Sequence, residues 1–217
     1  MTTPHDTSAQ TAQRIDAMEM TKHRRTPAPD TPQTRAYIRL LEEVSNFQHA
    51  LVQANPTADA SDELIAKLAS VRETLEQAAV PEAERLYARG ELSGGEMQVL
   101  MPPLTVEHVD DHEFRAHTVA GEFAMGMNQA MHGGVVSVLF DTAMGRLAMG
   151  TEMLSARTAY LTTQYRNITP IGERLDLTAT VDTVEGHKKF ISGQLWHGDT
   201  LCAEADSLFV AVKPGQQ

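Results

Sequence analysis

A single carboxylate, Asp141, lies in a strongly apolar stretch of this sequence, residues 131–145, which also contains His132, Gly133 and Gly134. A carboxylate among apolar side chains loses hydration, and this is costly unless the group is paired, hydrogen-bonded or protonated. The first N–H groups of a helix have no intrahelical partner and lie at the positive end of its dipole. The two glycines could therefore donate hydrogen bonds to a developing oxyanion, and Asp141 could act as a base or a nucleophile.

The element that must position these groups is a helix predicted over residues 133–149. Its apolar side chains are spread nearly all round the axis, so we expect it to be a core helix that is covered on most sides. One stripe of small or polar residues recurs at three- and four-residue steps, which allows close approach of a sheet, a partner's helix or a ligand. The stripe consists of Gly134, Ser137, Asp141, Gly145 and Ala148.

After about residue 97, apolar and polar residues alternate with a period of two, and turn residues separate short segments. This pattern predicts a sheet domain in which two strands precede the helix and four follow it. The alternation is clearest after the turn at Ile171-Gly-Glu. The predicted strands cover residues 104–109, 113–119, 158–166, 175–182, 189–196 and 201–212.

The chain is predicted to have three parts. Residues 1–34 are rich in Thr, Pro, Ala and Gln without a periodic apolar face, so we expect a mostly disordered tail. Residues 35–92 show apolar residues at helical spacing and are predicted to form a helical extension. Residues 93–217 form the predicted sheet domain.

Composition excludes several classes of function. The formal net charge of −11 disfavours nucleic acid and anionic membranes as partners. The single cysteine, Cys202, excludes an intramolecular disulfide and fits a reducing compartment. The sequence shows no signal-peptide pattern and no stretch near the roughly 20 consecutive apolar residues that span a bilayer. We therefore expect a cytoplasmic protein.

Two patterns together resemble the hotdog-fold acyl-CoA thioesterases, in particular those of the phenylacetate pathway. The first reads Asn128-Gln-Ala-Met-His132-Gly133-Gly134, then six residues, then Asp141-Thr-Ala-Met-Gly145. The second runs from Thr158 through Tyr165-Arg-Asn-Ile-Thr-Pro-Ile to Gly172. The resemblance covers roughly residues 97–213 and implies an α+β fold in which a curved antiparallel sheet wraps around one central helix.

The resemblance also implies an activity, the hydrolysis of acyl-CoA thioesters to a free acid and CoA, without a metal or an organic cofactor. The Gly133 N–H would contact the oxyanion, and Asp141 would attack the thioester or draw a proton from water. These groups lie two helical turns apart, about 12 Å by rise, so one thioester cannot reach both on a single helix. The family arrangement solves this by pairing Gly133 of one subunit with Asp141 of another, which implies a homodimer or a dimer of dimers.

Three further residues are candidates for the site. Thr158 would hydrogen-bond Asp141 or the attacking water, although a threonine at a strand start is also what β-propensity supplies. His132 is expected to orient the loop rather than to act as the base. Asn128 is either a site residue or a turn residue.

Other interpretations remain open at this point. Asp141 could be a structural acid, and the domain could be a non-catalytic module that binds acyl-CoA. An enoyl-thioester hydratase is a third alternative, but the Asp-x-Asn-Pro-x-His-like pairing of that class is absent from the sequence. Residues 107–117 contain three histidines and four acids, enough ligands for zinc, but we expect a solvated strand-turn-strand there.

Overall fold

The computed structural model describes residues 31–81, 84–86, 102–150 and 156–212. They fall into two compact units, one on each side of about residue 100. The first unit contains helices α1 (Pro32–Gln53) and α2 (Ala58–Gln77). The second contains β1 (Thr105–Val109), β2 (Glu113–Val119), a short 3-10 helix (Glu122–Ala124), α3 (Gly133–Met149), β3 (Ala156–Tyr165), β4 (Arg174–Glu185), β5 (Lys188–His197) and β6 (Thr200–Ala211).

The helical unit begins at a threonine cap. The Thr31 hydroxyl accepts the backbone N–H of Thr34 at 3.0 Å, which satisfies one free donor of the first turn of α1. Thr57 caps α2 in the same way. A helical extension is therefore confirmed, but α1 starts at Pro32, inside the predicted tail. The domain boundaries stay a prediction, because residues 1–30 lie outside the described part. None of the described helices is both long and apolar enough to span a membrane.

The second unit is built on one six-stranded antiparallel sheet with the strand order β1-β2-β4-β5-β6-β3. Consecutive strands β4, β5 and β6 are joined by tight turns, and Gly186 and Gly198 adopt positive φ angles in them. Strand β3 pairs with the last strand, β6, and occupies an edge of the sheet. The predicted α+β class, with a curved sheet around one helix, is confirmed.

The core of this unit lies between α3 and the sheet. Alternate residues of β4, namely Leu175, Leu177 and Ala179, are buried against the helix, as their period-two pattern predicts. The helix comes very close to β5 at Gly193, where an added Cβ would lie 2.7 Å from the Met144 methyl and 3.0 Å from the Thr178 carbonyl oxygen. A side chain at this position would crowd the backbone of Thr178, so glycine is favoured there.

Two details of α3 differ from the sequence prediction. The helix has the predicted bounds and buries seven side chains, but it is not covered on most sides: Gly134, Val138 and Asp141 are exposed along one side. The expectation of a buried carboxylate at Asp141 is therefore wrong for the single chain. The sheet covers only the side that carries the buried residues, Val136, Leu139, Phe140, Ala143, Met144, Leu147 and Ala148.

Candidate active site

The centre of the candidate site is a hydrogen bond between α3 and the edge strand β3. The Thr158 hydroxyl donates to Oδ1 of Asp141 at 2.8 Å. Both side chains are exposed, and Oδ2 of Asp141 has no hydrogen-bond partner among the described residues. One carboxylate oxygen is thus held by the protein, while the other is open to a water molecule or a substrate.

The start of α3 is organised by His132, which is the N-cap residue. Its Nδ1 accepts the backbone N–H of Gly134 at 3.0 Å, and its own N–H donates to the Ala124 carbonyl at 2.8 Å. Nδ1 is therefore an acceptor, and the neutral ring carries its proton on Nε2. His132 therefore holds the start of α3 through two hydrogen bonds, and its role in the site stays a prediction.

The His132 cap leaves only one of the two glycine N–H groups available as an oxyanion donor. The Gly134 N–H is already used by His132. The Gly133 N–H has no hydrogen-bond partner within the described ranges, and as the first residue of α3 it has none in the helix. Gly133 is thus the donor that remains available at the positive end of the helix dipole.

A group of hydroxyls, which sequence reasoning did not identify as a unit, fixes Gly133 against β3. The Tyr165 hydroxyl donates to the Gly133 carbonyl at 2.8 Å and lies 3.2 Å from the Ser137 hydroxyl. The Ser137 hydroxyl also lies 3.1 Å from the Thr163 hydroxyl. The Tyr165 ring is so close that a Cβ on Gly133 would lie 3.1 Å from its oxygen. The signals were present in the sequence, since Ser137 is in the small-residue stripe and Tyr165 is in the resemblance pattern.

Asn128 is explained by the backbone. Asn128 and Gln129 have φ angles of 55° and 61°, and the Ala130 N–H donates to the Met127 carbonyl at 3.0 Å across this tight turn. Asparagine tolerates the left-handed region better than most residues. Its side chain is exposed and makes no hydrogen bond to the other candidate residues in the described structure. The structure does not bring Asn128 together with Asp141 and Thr158.

The segment rich in histidine and acids forms the β1–β2 hairpin. Asp110 Oδ1 accepts the backbone N–H groups of His112 and Glu113, both at 2.8 Å, and Oδ2 lies 3.0 Å from His108 Nε2. These hydrogen bonds lower the pKa of Asp110 to about 2. Within the described ranges, no three His, Cys, Asp or Glu side chains are grouped to hold a metal. The segment therefore forms a hairpin turn that is held by the hydrogen bonds of Asp110.

Comparisons with known proteins show which family this region of the chain is similar to. Residues 128–204 match the family model of the thioesterase superfamily, a range that includes every candidate site residue. The acyl-coenzyme A thioesterase THEM4 of Bos taurus is 29% identical over 96 residues, which is 43% of this chain and 39% of that protein. The same enzyme of Xenopus laevis is 32% identical over 99 residues, 43% of each chain. The matched part spans less than half of the length of either relative.

Solved structures support the fold over a longer range. The crystal structure of a thioesterase superfamily protein, 26% identical, aligns with a TM-score of 0.69 over 85% of this chain and 97% of its own. Zebra fish thioesterase superfamily member 2, 18% identical, aligns with a TM-score of 0.50 over 58% of this chain and 93% of its own, and shows the fold alone. The predicted resemblance to hotdog-fold thioesterases is therefore confirmed.

Proposed function

We propose that this hotdog protein, whose residues 128–204 match the thioesterase superfamily, hydrolyses acyl-CoA thioesters to a free carboxylic acid and CoA. The observation that carries the proposal is the Asp141 carboxylate, which Thr158 of β3 holds through one oxygen. Asp141 lies on α3, the same helix that begins with the available Gly133 N–H. The acyl-CoA thioesterases of similar sequence support the choice of substrate. The reaction needs only water in addition to these groups.

Asp141 is the proposed reacting group. Its Oδ2 either attacks the thioester carbon or takes a proton from the attacking water, and both mechanisms remain open. In either case the Thr158 hydroxyl fixes the orientation of the carboxylate through Oδ1. Oδ2 is available for this role because it has no hydrogen-bond partner among the described residues.

The Gly133 N–H is the proposed oxyanion donor. It lies at the first position of α3, where the helix dipole favours negative charge. His132 and Tyr165 position it, because His132 caps the helix and Tyr165 anchors the Gly133 carbonyl. Asn128 remains a candidate through the family resemblance alone.

The complete site is proposed to form between two copies of the chain, as a homodimer or within a dimer of dimers. Gly133 and Asp141 are separated by about 12 Å along one helix, so the donor and the carboxylate that act on one thioester come from different subunits. The surface fits this arrangement. Strand β3 has no strand on its outer edge among the described residues, and the adjoining Val138 is 37% exposed. An unpaired edge beside an exposed apolar residue favours association.

A thiol-release assay over short, long and aromatic acyl-CoAs tests the activity. We expect turnover of at least one acyl-CoA, with equal amounts of free acid and CoA. Tight binding of acyl-CoA without turnover would instead support a non-catalytic binding module. Addition of water to an enoyl-CoA without thiol release would support a hydratase. Cytoplasmic location and independence of metals stay predictions.

Replacing Thr158 with valine tests the role of its hydroxyl. Thr158→Val keeps the shape of the side chain but removes the donor to Asp141, so we expect kcat to fall about 10- to 100-fold, because hydrogen bonds to charged groups contribute about 1.5–3 kcal/mol. Thr162→Val on the same strand is the control, since Thr162 pairs with Asp206 and lies away from Asp141. Equal kcat values for the two variants would exclude the proposed role of Thr158.

A further inference from the structure

An apolar row runs along α2, the second helix of the helical unit. Every side chain of α2 is exposed or partly exposed, so α1 of the same chain does not cover the helix. The members of the row follow each other at steps of four, three and four residues, the spacing of a coiled-coil contact. The row consists of Leu64, Leu68, Val71 and Leu75, which are 42–52% exposed. Such a row on an exposed helix favours packing against a second helix.

Helix α1 carries an apolar row with the same spacing. It consists of Leu40, Val44, Phe47 and Leu51, and each of these side chains is at least partly exposed. The two helices have similar lengths, 22 residues in α1 and 20 residues in α2. Two helices whose apolar rows share one spacing can pack lengthwise, with four layers of facing side chains. The two rows therefore match each other in spacing and in extent.

Charges beside the rows favour one pairing of helices. In a parallel coiled coil, the residue that directly precedes a row position faces the residue five places further along on the partner. These positions on α2 hold Lys67 and Arg72, so two parallel α2 helices would bring like charges together. On α1 the first of these positions holds Glu43, which faces Arg72 when Val44 packs beside Leu68. A parallel α1 is thus a partner of complementary charge for α2, whereas an antiparallel pair of α2 helices gains no ion pair at these positions.

This parallel pairing requires two copies of the chain. Helix α1 ends at Gln53 and α2 begins at Ala58, so four residues connect them. If Val44 packed beside Leu68 of the same chain, the end of α1 would lie level with the end of α2, about 29 Å from its start. The connector reaches at most about 18 Å when it is fully extended. The α1 that packs along α2 must therefore belong to a second copy.

We propose that α2 of one copy packs in parallel along α1 of a second copy, with Leu68 beside Val44 and Arg72 facing Glu43. A two-fold axis repeats the contact, so two chains form two such helix pairs and the assembly closes. The Arg72 side chain is 69% exposed and contacts Glu76 at 3.4 Å, which leaves other guanidinium donors for Glu43. The proposal assigns the helical extension a role in association between copies, and it does not depend on the proposed activity.

Cross-linking of the full-length protein with a short bis-maleimide tests the pairing. In the Leu51→Cys, Leu75→Cys double variant the two cysteines face each other across the copies, so we expect a covalent dimer on a denaturing gel. Leu40→Cys with Leu75→Cys is the matched control, because these positions lie 11 residues, or about 16 Å, apart along the paired helices. It should give no cross-link. The wild-type protein controls for Cys202, which is buried.

The same chemistry detects the other arrangements of these helices. A cross-link within one chain of the Leu40→Cys, Leu75→Cys variant would show that α1 and α2 close into an antiparallel hairpin. A covalent dimer of a Leu64→Cys, Leu75→Cys variant would show an antiparallel pair of α2 helices. Either result, or the absence of a dimer in the Leu51→Cys, Leu75→Cys variant, would overturn the proposal.

A charge exchange in the Leu51→Cys, Leu75→Cys background tests the register. Glu43→Arg should slow the cross-linking about 3- to 10-fold, because an attractive pair becomes repulsive in both helix pairs. Adding Arg72→Glu should restore the rate. Glu42→Arg is the matched control, since it makes the same change of charge on the side of α1 away from the row. Equal rates for Glu43→Arg and Glu42→Arg would exclude the proposed contact between Glu43 and Arg72.

Discussion

Replacing Asp141 with asparagine should lower kcat for acyl-CoA hydrolysis by at least about 10²- to 10⁴-fold, the range for loss of a general base. Asparagine has nearly the same shape, and its amide oxygen can still accept the Thr158 hydroxyl that now binds Oδ1. The amide can neither attack a thioester nor take a proton from water. The loss should therefore appear in kcat, with little change in KM or in the melting temperature.

Asp182 provides a matched control for this experiment. It is also an exposed carboxylate that accepts a hydroxyl hydrogen bond at 2.8 Å, from Ser192, but it lies on the outer side of the sheet. Asp182→Asn should retain wild-type kcat. If Asp141→Asn were as active as Asp182→Asn while both proteins stayed folded, Asp141 would be a structural acid rather than the reacting group.

Replacing Gly133 with proline should also have a large effect, because proline removes the N–H proposed to stabilise the oxyanion. The backbone tolerates this change. Proline is favoured at the first position of a helix, and the preceding His132 has φ −62° and ψ 130°, which suits a residue before proline. The loss of one oxyanion donor costs about 10²- to 10³-fold in kcat. We expect a loss of that size in a folded protein.

Gly133→Ala separates the N–H from the side chain. Alanine keeps the donor but introduces the same Cβ, which would lie 3.1 Å from the Tyr165 hydroxyl oxygen, so both variants share the displacement of that ring. The proline variant should therefore be about 10²- to 10³-fold slower than the alanine variant. Equal kcat values for the pair would show that the Gly133 N–H does not contact the transition state.

Elements with regular periodicity could be predicted from the sequence. The alternation of Leu175, Leu177 and Ala179 identified β4 and its buried side, because side chains of a strand point alternately to its two faces. The bounds of α3 could be predicted as well. His132 supplies the cap at its start, and Gly150, with a φ angle of 63°, supplies the stop.

Contacts that depend on strand order could not be predicted in this way. Strand β3 pairs with β6, which is distant in sequence, and this pairing sets the edge beside α3. The Ser137, Thr163 and Tyr165 hydroxyls meet only because that edge strand crosses the start of the helix. The exposure of Asp141 was also misjudged, because periodicity around α3 does not show which side the sheet of a single chain leaves open.

The most direct test of the composite site is to mix the Asp141→Asn and Gly133→Pro proteins and measure thiol release after subunit exchange. In a mixed dimer, one site combines the intact Gly133 of one subunit with the intact Asp141 of the other, and the second site lacks both groups. Random exchange makes about half of the dimers mixed, so activity should rise to about a quarter of the wild-type value. If the mixture stays as inactive as either parent although exchange is complete, Gly133 and Asp141 do not act across a subunit interface.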